Sequence, residues 1–563
     1  MVLTRRQYLQ AQLILGAAGV GVLLDRRADA YTLDLPNAPW LVPGTEVSIP
    51  DWWLAENLGV ELLSGTDPDT QRLRWFGAPL VLPVRPGPAA LPGRYLSLED
   101  LKKALGLHGA GVSLEIPAGQ VTSLKTNAQG LVVVLDRPVP WQFQQQAARA
   151  LLRLAAQFEN IRPPRAPAPP FQKITLLKGE VQGQVALDLK GNAPALVRTY
   201  SNPYRLVLDF TPRAAGSSGP TYTQTWRPGL TYQRWDFWAN ATQRVHVLTM
   251  DPARYSWQLL RAPGKQSLPE FARSTQALAA INGGFFNINT ALPLGAVRIQ
   301  GQWQAGPILQ RGAVAWDSST MQFDRLDWQG ILESPQARLL LVGWNSGFIR
   351  AGLSVYTRAW GERYTTLSDQ ETIVTVQDDT TQLPLQLTVR GAPLLIPEGG
   401  YLLVGRAYGE ALLQQQFKNS TPVALNLSLS LPTWQTLPNI LGGGPLLLKN
   451  GVRVLDADLE KFQADVKLSQ TSRTAVGRTG DGQMVWVVAE GRLAQAQGLT
   501  LEGLAAFLER LGCVDALNLD GGGSSGFYLG GALRSQPTNA SRLLSTALVI
   551  ADMPSLVPDG VKG

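Results

Sequence analysis

The stretch ALNLDGGGSSG (516–526) decides how this chain is read. Its first half alternates, so a strand there points Leu517 and Leu519 to one face and Asn518 and Asp520 to the other. Its second half is a glycine run, which lets backbone turn sharply or approach a ligand closely. Upstream, Thr500 is placed to cap a helix over LEGLAAFLERLG, with Leu501, Leu504, Ala505, Leu508 and Leu511 on one face and Gly512 as its stop. Helix, strand and glycine turn follow one another within 27 residues (500–526), the grammar of a mixed domain with chemistry at a strand end. An Asp before Gly is most often a plain turn residue. An amide and a carboxylate sharing the face opposite an apolar one make a site the stronger reading.

Two other readings of the glycines fail. Gly522-Gly523-Ser524-Ser525-Gly526 matches G-x-S-x-G, the nucleophile elbow of serine hydrolases, which requires a following helix and a later histidine. No histidine follows Ser524, and FYLGGALR (527–534) reads as a hairpin. A phosphate-binding P-loop needs Gly-Lys-Ser/Thr after the glycines, and none is there.

A second carboxylate emerges from SRTAVGRTGDGQMVWVVAEGR (472–492), which reads as a hairpin around Asp481-Gly482. Trp486, Val488 and Glu490 share a face. Arg473 and Arg478 differ in parity, so one of them at most points to a site. Arg473 is favoured, and Arg478 reads as a solvated charge. Two more glycine clusters, INGGFFN (281–287) and LGGGPLLL (441–448), each adjoin a short apolar run.

These pieces resemble the phosphodiester glycosidase family. AAINGGFFN (279–287), YTRAWG (356–361), PEGGYLLVG (397–405), LGGGPLLLKNG (441–451), SRTAVGRT (472–479), VVAEGR (487–492) and ALNLDGGGSSGFYLGG (516–531) occur in the family's order. The resemblance implies an α+β catalytic domain over 230–553 that cleaves a glycosyl–phosphodiester bond. On that basis Asp520 and Glu490 take the carboxylate roles and Arg473 holds the phosphate. Asn282, Asn518 and Ser524 become donors to sugar or phosphate. The N–H groups of Gly283, Gly284, Gly521, Gly522 and Gly523 form an anion nest. Which carboxylate is nucleophile, base or acid stays open. Glu490 stands where the family usually has Asp, and Gln536-Pro537-Thr538 with Arg542 replaces its usual C-terminal signature. The segment 340–374 matches only in its middle. The alternative is an envelope glycan-binding protein with a degenerate catalytic domain.

The rest of the chain sets the context. With 563 residues, 45% hydrophobic and 17% charged, several domains with real cores are expected. The expected fold class is therefore α+β, a mixed α/β glycosidase domain preceded by small β-rich modules. Residues 1–30 carry Arg5-Arg6, an uncharged run (11–24) and Ala28-Asp29-Ala30, the pattern of a twin-arginine-like export signal. Export to the periplasm or cell envelope is expected, with membrane attachment only if that segment stays uncleaved. Its removal takes the net charge from +7 to about +5, spread without a basic run, so nucleic acid is not an expected partner. A phosphorylated or cell-wall glycan is.

A small α+β module over 45–120, with a helix capped by Ser97 and ending at Gly106, resembles the N-terminal domain of copper amine oxidases. Residues 121–213 resemble β-rich AMIN modules. A proline-rich linker, RPPRAPAPP (162–170), runs through them. One cysteine (Cys513) and two histidines (His108, His246) argue against a His/Cys zinc site. The sequence names no definite cofactor, and a metal would be calcium or magnesium on oxygen ligands. His246, in a strand pattern, reads as a structural side chain.

Overall fold

The computed structural model describes residues 30–34 and 47–552, except 88–90, 110–112, 128–129, 147, 165–166, 169, 180–181, 191–194, 211–218, 239–241, 494–495 and 537–541. The expected export signal lies outside the described residues apart from Ala30. Among the described residues no helix is long and apolar enough to cross a membrane.

Strands dominate, at 52% against 11% helix. The α+β expectation is corrected to a β-dominated architecture. Its two best helix signals are real, but few others exist. Ser97 Oγ accepts from Asp100 N–H at 3.3 Å to start helix Leu98–Leu105, and Gly106 (φ 65°) ends it. Thr500 Oγ1 accepts from Gly503 N–H at 3.0 Å to start helix Leu501–Arg510. Elsewhere, short alternating runs pair into mostly antiparallel sheets, with parallel pairs between Gly119–Asn127 and Ala156–Gln157 and between Arg338–Trp344 and Gly352–Thr357.

One buried cluster runs from Ile49 to Phe210. It joins helices Asp51–Leu58 and Leu98–Leu105 to a five-stranded and a four-stranded sheet built from strands between Gly119 and Asp209. The stretches resembling two separate modules thus share a core.

From Tyr222 onward, an eight-stranded sheet is the platform. Its order is Tyr222–Arg227, Leu230–Trp238, Thr242–Met250, Met484–Ala489, Arg473–Thr479, Cys513–Asn518, Leu446–Lys449, Val452–Arg453. One face carries Val476, Trp486, Val488, Leu517 and Leu519, packed against Ile281, Phe527 and Leu548 of a five-stranded sheet. The other carries Ala475, Val487 and Ala516 under helix Leu501–Arg510, which buries Leu501, Leu504, Ala505 and Leu508. Each such Leu contributes roughly 1.5–3 kcal/mol on burial, which fixes the helix against the strand that ends at Asn518. A seven-stranded sheet made from strands between Trp328 and Leu429 has its own core and is inserted between Leu326 and Pro432.

Candidate active site

The glycine turn sits where three strand ends meet. Strand Cys513–Asn518 pairs with Arg473–Thr479, so Asn518 lies opposite Ala475. Strand Ala279–Asn282 belongs to the facing five-stranded sheet, and its end reaches the same place. Asp520 N–H donates to Gly283 O at 3.3 Å, and Asn282 Nδ2 donates to Asp520 O at 2.8 Å. Two sheets are thereby pinned together at the carboxylate-bearing residue.

Past Asp520 the chain makes a 3-10 turn over Gly522–Ser524. Gly522 has φ 58°, the left-handed region, and carries no Cβ there. The Asp520 carboxylate accepts from Gly521 N–H at 2.9 Å and from the Ser524 hydroxyl. Arg542 Nη1 reaches Ser524 Oγ at 3.5 Å, and a Cβ on Gly523 would meet the Arg542 guanidinium at 2.9 Å. Glycine at 523 therefore lets an exposed cation lie flat on the turn. Burial pushes the Asp520 carboxyl up to about 6, while Ser524, Gly521 N–H and Arg542 pull it down.

Glu490 is 2% exposed, on the face shared with Trp486 and Val488. Its Oε1 lies 3.0 Å from His246 Nε2 and accepts from Gln536 N–H at 2.9 Å. His246 Nδ1 is 2.9 Å from Tyr232 Oη, and both rings stack with Phe527. His246, read as a structural side chain, is thus the direct partner of the second carboxylate.

Several expected ligand donors are spent inside the protein. Asn282 Oδ1 accepts from Thr474 Oγ1 (2.7 Å) and Gly526 N–H (3.2 Å), and its Nδ2 donates to Gly283 O as well as Asp520 O. Asn518 Nδ2 donates to Gly444 O (2.7 Å) and Leu519 O (2.8 Å). Gly283 N–H goes to Thr546 O, Gly522 N–H to Ser472 O and Gly521 N–H to Asp520 itself. The anion nest expected over 521–523 is corrected accordingly: two of its three N–H groups serve the turn's own fold. Gly284 is held for another reason, since a Cβ there would sit 2.3 Å from Gly442 O.

Arg473 is corrected in the same way. It shares the parity of Ala475, so it turns toward the helix-covered face. There Nε donates to Leu499 O (3.1 Å), and Nη2 donates to Val466 O (3.0 Å) and Ser469 O (2.6 Å). Its Cδ lies 3.8 Å from where a Gly521 Cβ would be, so it supports the turn from below. Burial lowers its pKa to about 10, so it remains charged. The cation beside Asp520 is Arg542. The sequence shows it as an Arg just before the last strand, Leu544–Asp552, but nothing local says that this strand end folds back over Gly523. Arg478 pairs with Asp515 instead.

Among the described residues, four buried polar atoms around this turn lack a partner: Thr471 Oγ1, Glu490 Oε2, Asn518 Oδ1 and Ser525 Oγ. Such orphans are unusual in finished interiors. Among the described residues no three His, Cys, Asp or Glu side chains gather as a metal set.

Residues 370–551 match the phosphodiester glycosidase family model. The C-terminal part of this chain is a phosphodiester glycosidase domain. The matched span begins inside the inserted seven-stranded sheet, at strand Gln370–Gln377, yet the domain's own strands start earlier, because Ala279–Asn282 pairs with Leu544–Asp552. Human N-acetylglucosamine-1-phosphodiester alpha-N-acetylglucosaminidase is 44% identical over 118 residues, 19% of this chain and 23% of that protein. The mouse protein of the same name is 45% identical over 69 residues, 12% of this chain and 13% of its own length. The matches thus span less than a quarter of these relatives. A crystal structure of a hypothetical protein from Synechocystis superposes with a TM-score of 0.76 at 29% identity, covering 92% of this chain and 96% of that one. That likeness of fold covers the N-terminal sheets as well as the C-terminal part of this chain.

Proposed function

We propose that this protein is an exported hydrolase that cleaves a glycosyl–phosphodiester bond in a cell-envelope or extracellular glycan. The observation that carries the proposal is Asp520, a carboxylate with a pKa near 6 at a glycine turn, beside a cation and a hydroxyl. Above that pH it is ionised and suited to attack an anomeric carbon, or to activate water toward it. The departing phosphate monoester is a weak base that leaves with little protonation, and its charge needs a guanidinium. Arg542, exposed above Gly523, supplies one. The bond from C1 to the phosphate oxygen breaks, its electrons leave with the phosphate, and water delivers hydroxyl to C1 and a proton to solvent. The named activity of the curated relatives supports this substrate class. Export rests on the pattern of residues 1–30.

Asp520→Asn tests the assignment. With folding matched by circular dichroism, turnover of an α-linked sugar 1-phosphodiester should fall about 100- to 10,000-fold. Equal turnover sinks it.

One observation favours a glycan-binding protein without turnover. Glu490 is buried and its Oε1 is held by His246 and Gln536, which leaves one carboxylate at the turn. Binding of cell-wall glycans with no release of phosphate monoester would favour that reading.

A further inference from the structure

The N-terminal module meets the glycosidase domain at the hairpin just past the glycine turn. Its strands are Phe527–Leu529 and Ala532–Leu533, and Gly530 and Gly531 form its tip with φ 59° and 93°. The tip is wedged between the platform's edge strand and the module, with no room for a side chain. A Cβ on Gly530 would fall 2.2 Å from the ring of Trp226 in strand Tyr222–Arg227, and one on Gly531 would fall 3.1 Å from Trp52 Nε1 of the module. A Cβ on Gly93 would lie 3.0 Å from Gly530 O.

The next residue, Arg534, crosses the boundary. Its Nη2 donates to Asp51 Oδ1 at 3.5 Å, its Nε donates to Leu529 O at 3.0 Å, and its guanidinium covers Trp226 at 5.3 Å. Asp51 is 1% exposed and opens helix Asp51–Leu58. Its second cation is Arg94 of the same module, at 3.7 Å, itself anchored on Pro68 O and Thr70 O.

The chain then runs straight into the site. Ser535 Oγ accepts from Phe527 N–H at 2.9 Å, and Gln536 N–H donates to Glu490 Oε1. Arg542, six residues further along the chain, lies over Gly523 and Ser524. From Asp51 to Glu490 there are two side-chain contacts and two peptide links.

We propose that Asp51 and Arg534 are positioning residues for the glycosidase site: the N-terminal module clamps Arg534–Gln536, and with it the contact of Gln536 to Glu490 and the placement of Arg542 at Asp520. The module is then part of the working enzyme, whatever else it binds. The activity arm of the test rests on the function proposed above. The structural arm does not.

The physical reason is that removing one partner of a buried pair leaves the other charge uncompensated, so the side chain and its backbone move to resolvate it. Small displacements of a positioned group are costly to rate. Full-length Asp51→Asn and wild type would be compared by hydrogen exchange and by kinetics on a sugar 1-phosphodiester. Peptides over 527–546 should exchange at least about tenfold faster in the variant, with strands 473–479 and 513–518 unchanged. kcat/KM should fall about 10- to 100-fold. The acid limb of the pH profile should move up as Arg542 leaves Asp520. A shift of that limb separates positioning from a general loss of stability.

Gly93→Ala, which wedges the interface while keeping every charge, should give a smaller effect of the same kind, and it decides the matter if Asp51→Asn does not fold. Unchanged exchange over 527–546 in a folded variant overturns the clamp. Faster exchange with unchanged kcat/KM overturns the positioning role. A wild type without turnover sinks the proposed function instead, and the exchange comparison still decides the clamp.

Discussion

Two carboxylates in this molecule, one buried and one half-buried, are treated in opposite ways. In the inserted seven-stranded sheet, Glu371 is fully enclosed and saturated. Its Oε1 accepts from Arg406 Nε (2.7 Å), Ser368 Oγ (2.8 Å), Ser368 N–H (3.0 Å) and Leu367 N–H (3.2 Å), and its Oε2 from Tyr364 Oη. Arg406 spends its other donors on Ser354, Tyr356 and Tyr364 hydroxyls. At the glycine turn, Asp520 has one N–H, one hydroxyl and a neighbouring cation, and its pKa is pushed to about 6. Orphaned polar atoms of Thr471, Asn518 and Ser525 stand nearby. A saturated buried carboxylate specifies a fold, whereas an undersatisfied one at a glycine turn retains capacity for a ligand.

The sharpest way to break this contrast is at Glu371. Glu371→Gln puts an amide among donors and strands Arg406, which should cost about 3–5 kcal/mol in denaturant unfolding. Turnover per folded molecule should be unchanged. A loss under about 1 kcal/mol would mean the network is not the structural unit described.

Asp520→Asn should do the reverse. Its native pKa lies above the ordinary 3.8, so the folded state holds a proton that the unfolded chain has lost between about pH 4 and 6. Ionisation therefore costs stability, with no cost below about pH 4 and the full cost above about pH 6. Above pH 7 the Asn variant should be more stable by on the order of 1–3 kcal/mol while turnover collapses. A destabilised variant would place Asp520 with Glu371 as a structural group. In wild type the same value sets the acid limb: activity should rise through about pH 6 as the carboxylate forms. A limb near 4 would show that the group is effectively solvated.

The smallest effect belongs to the scaffold. Thr500→Ala removes the cap of the helix that backs strand Cys513–Asn518 and should cost about 1 kcal/mol with kcat/KM kept. A large kinetic effect there would mean the helix end itself tunes the site.

Local signals predicted the local structure well. The Thr500 cap, the hairpin around Asp481-Gly482, the parity of Leu517 and Leu519 and the hairpin after Ser524 all appear in the structure. The balance of helix and strand was overestimated toward helix, because two strong caps say nothing about the many short strands between them. Roles at the site were less legible. Asn282, Asn518 and Arg473 look like ligand donors in sequence, and each is tied to backbone carbonyls instead. Arg542 and His246 reach the site only because sheets pair across the chain.

The sequence by itself determined that a carboxylate ends a strand before a glycine turn, backed by an apolar face and a capped helix. Periodicity and capping act within a few residues, so they can be read from order alone. The tertiary structure decided which atoms meet that carboxylate. Asn282 lies 238 residues from Asp520, and His246 lies 244 from Glu490. Contacts at that separation follow from sheet register and packing, which no local pattern encodes.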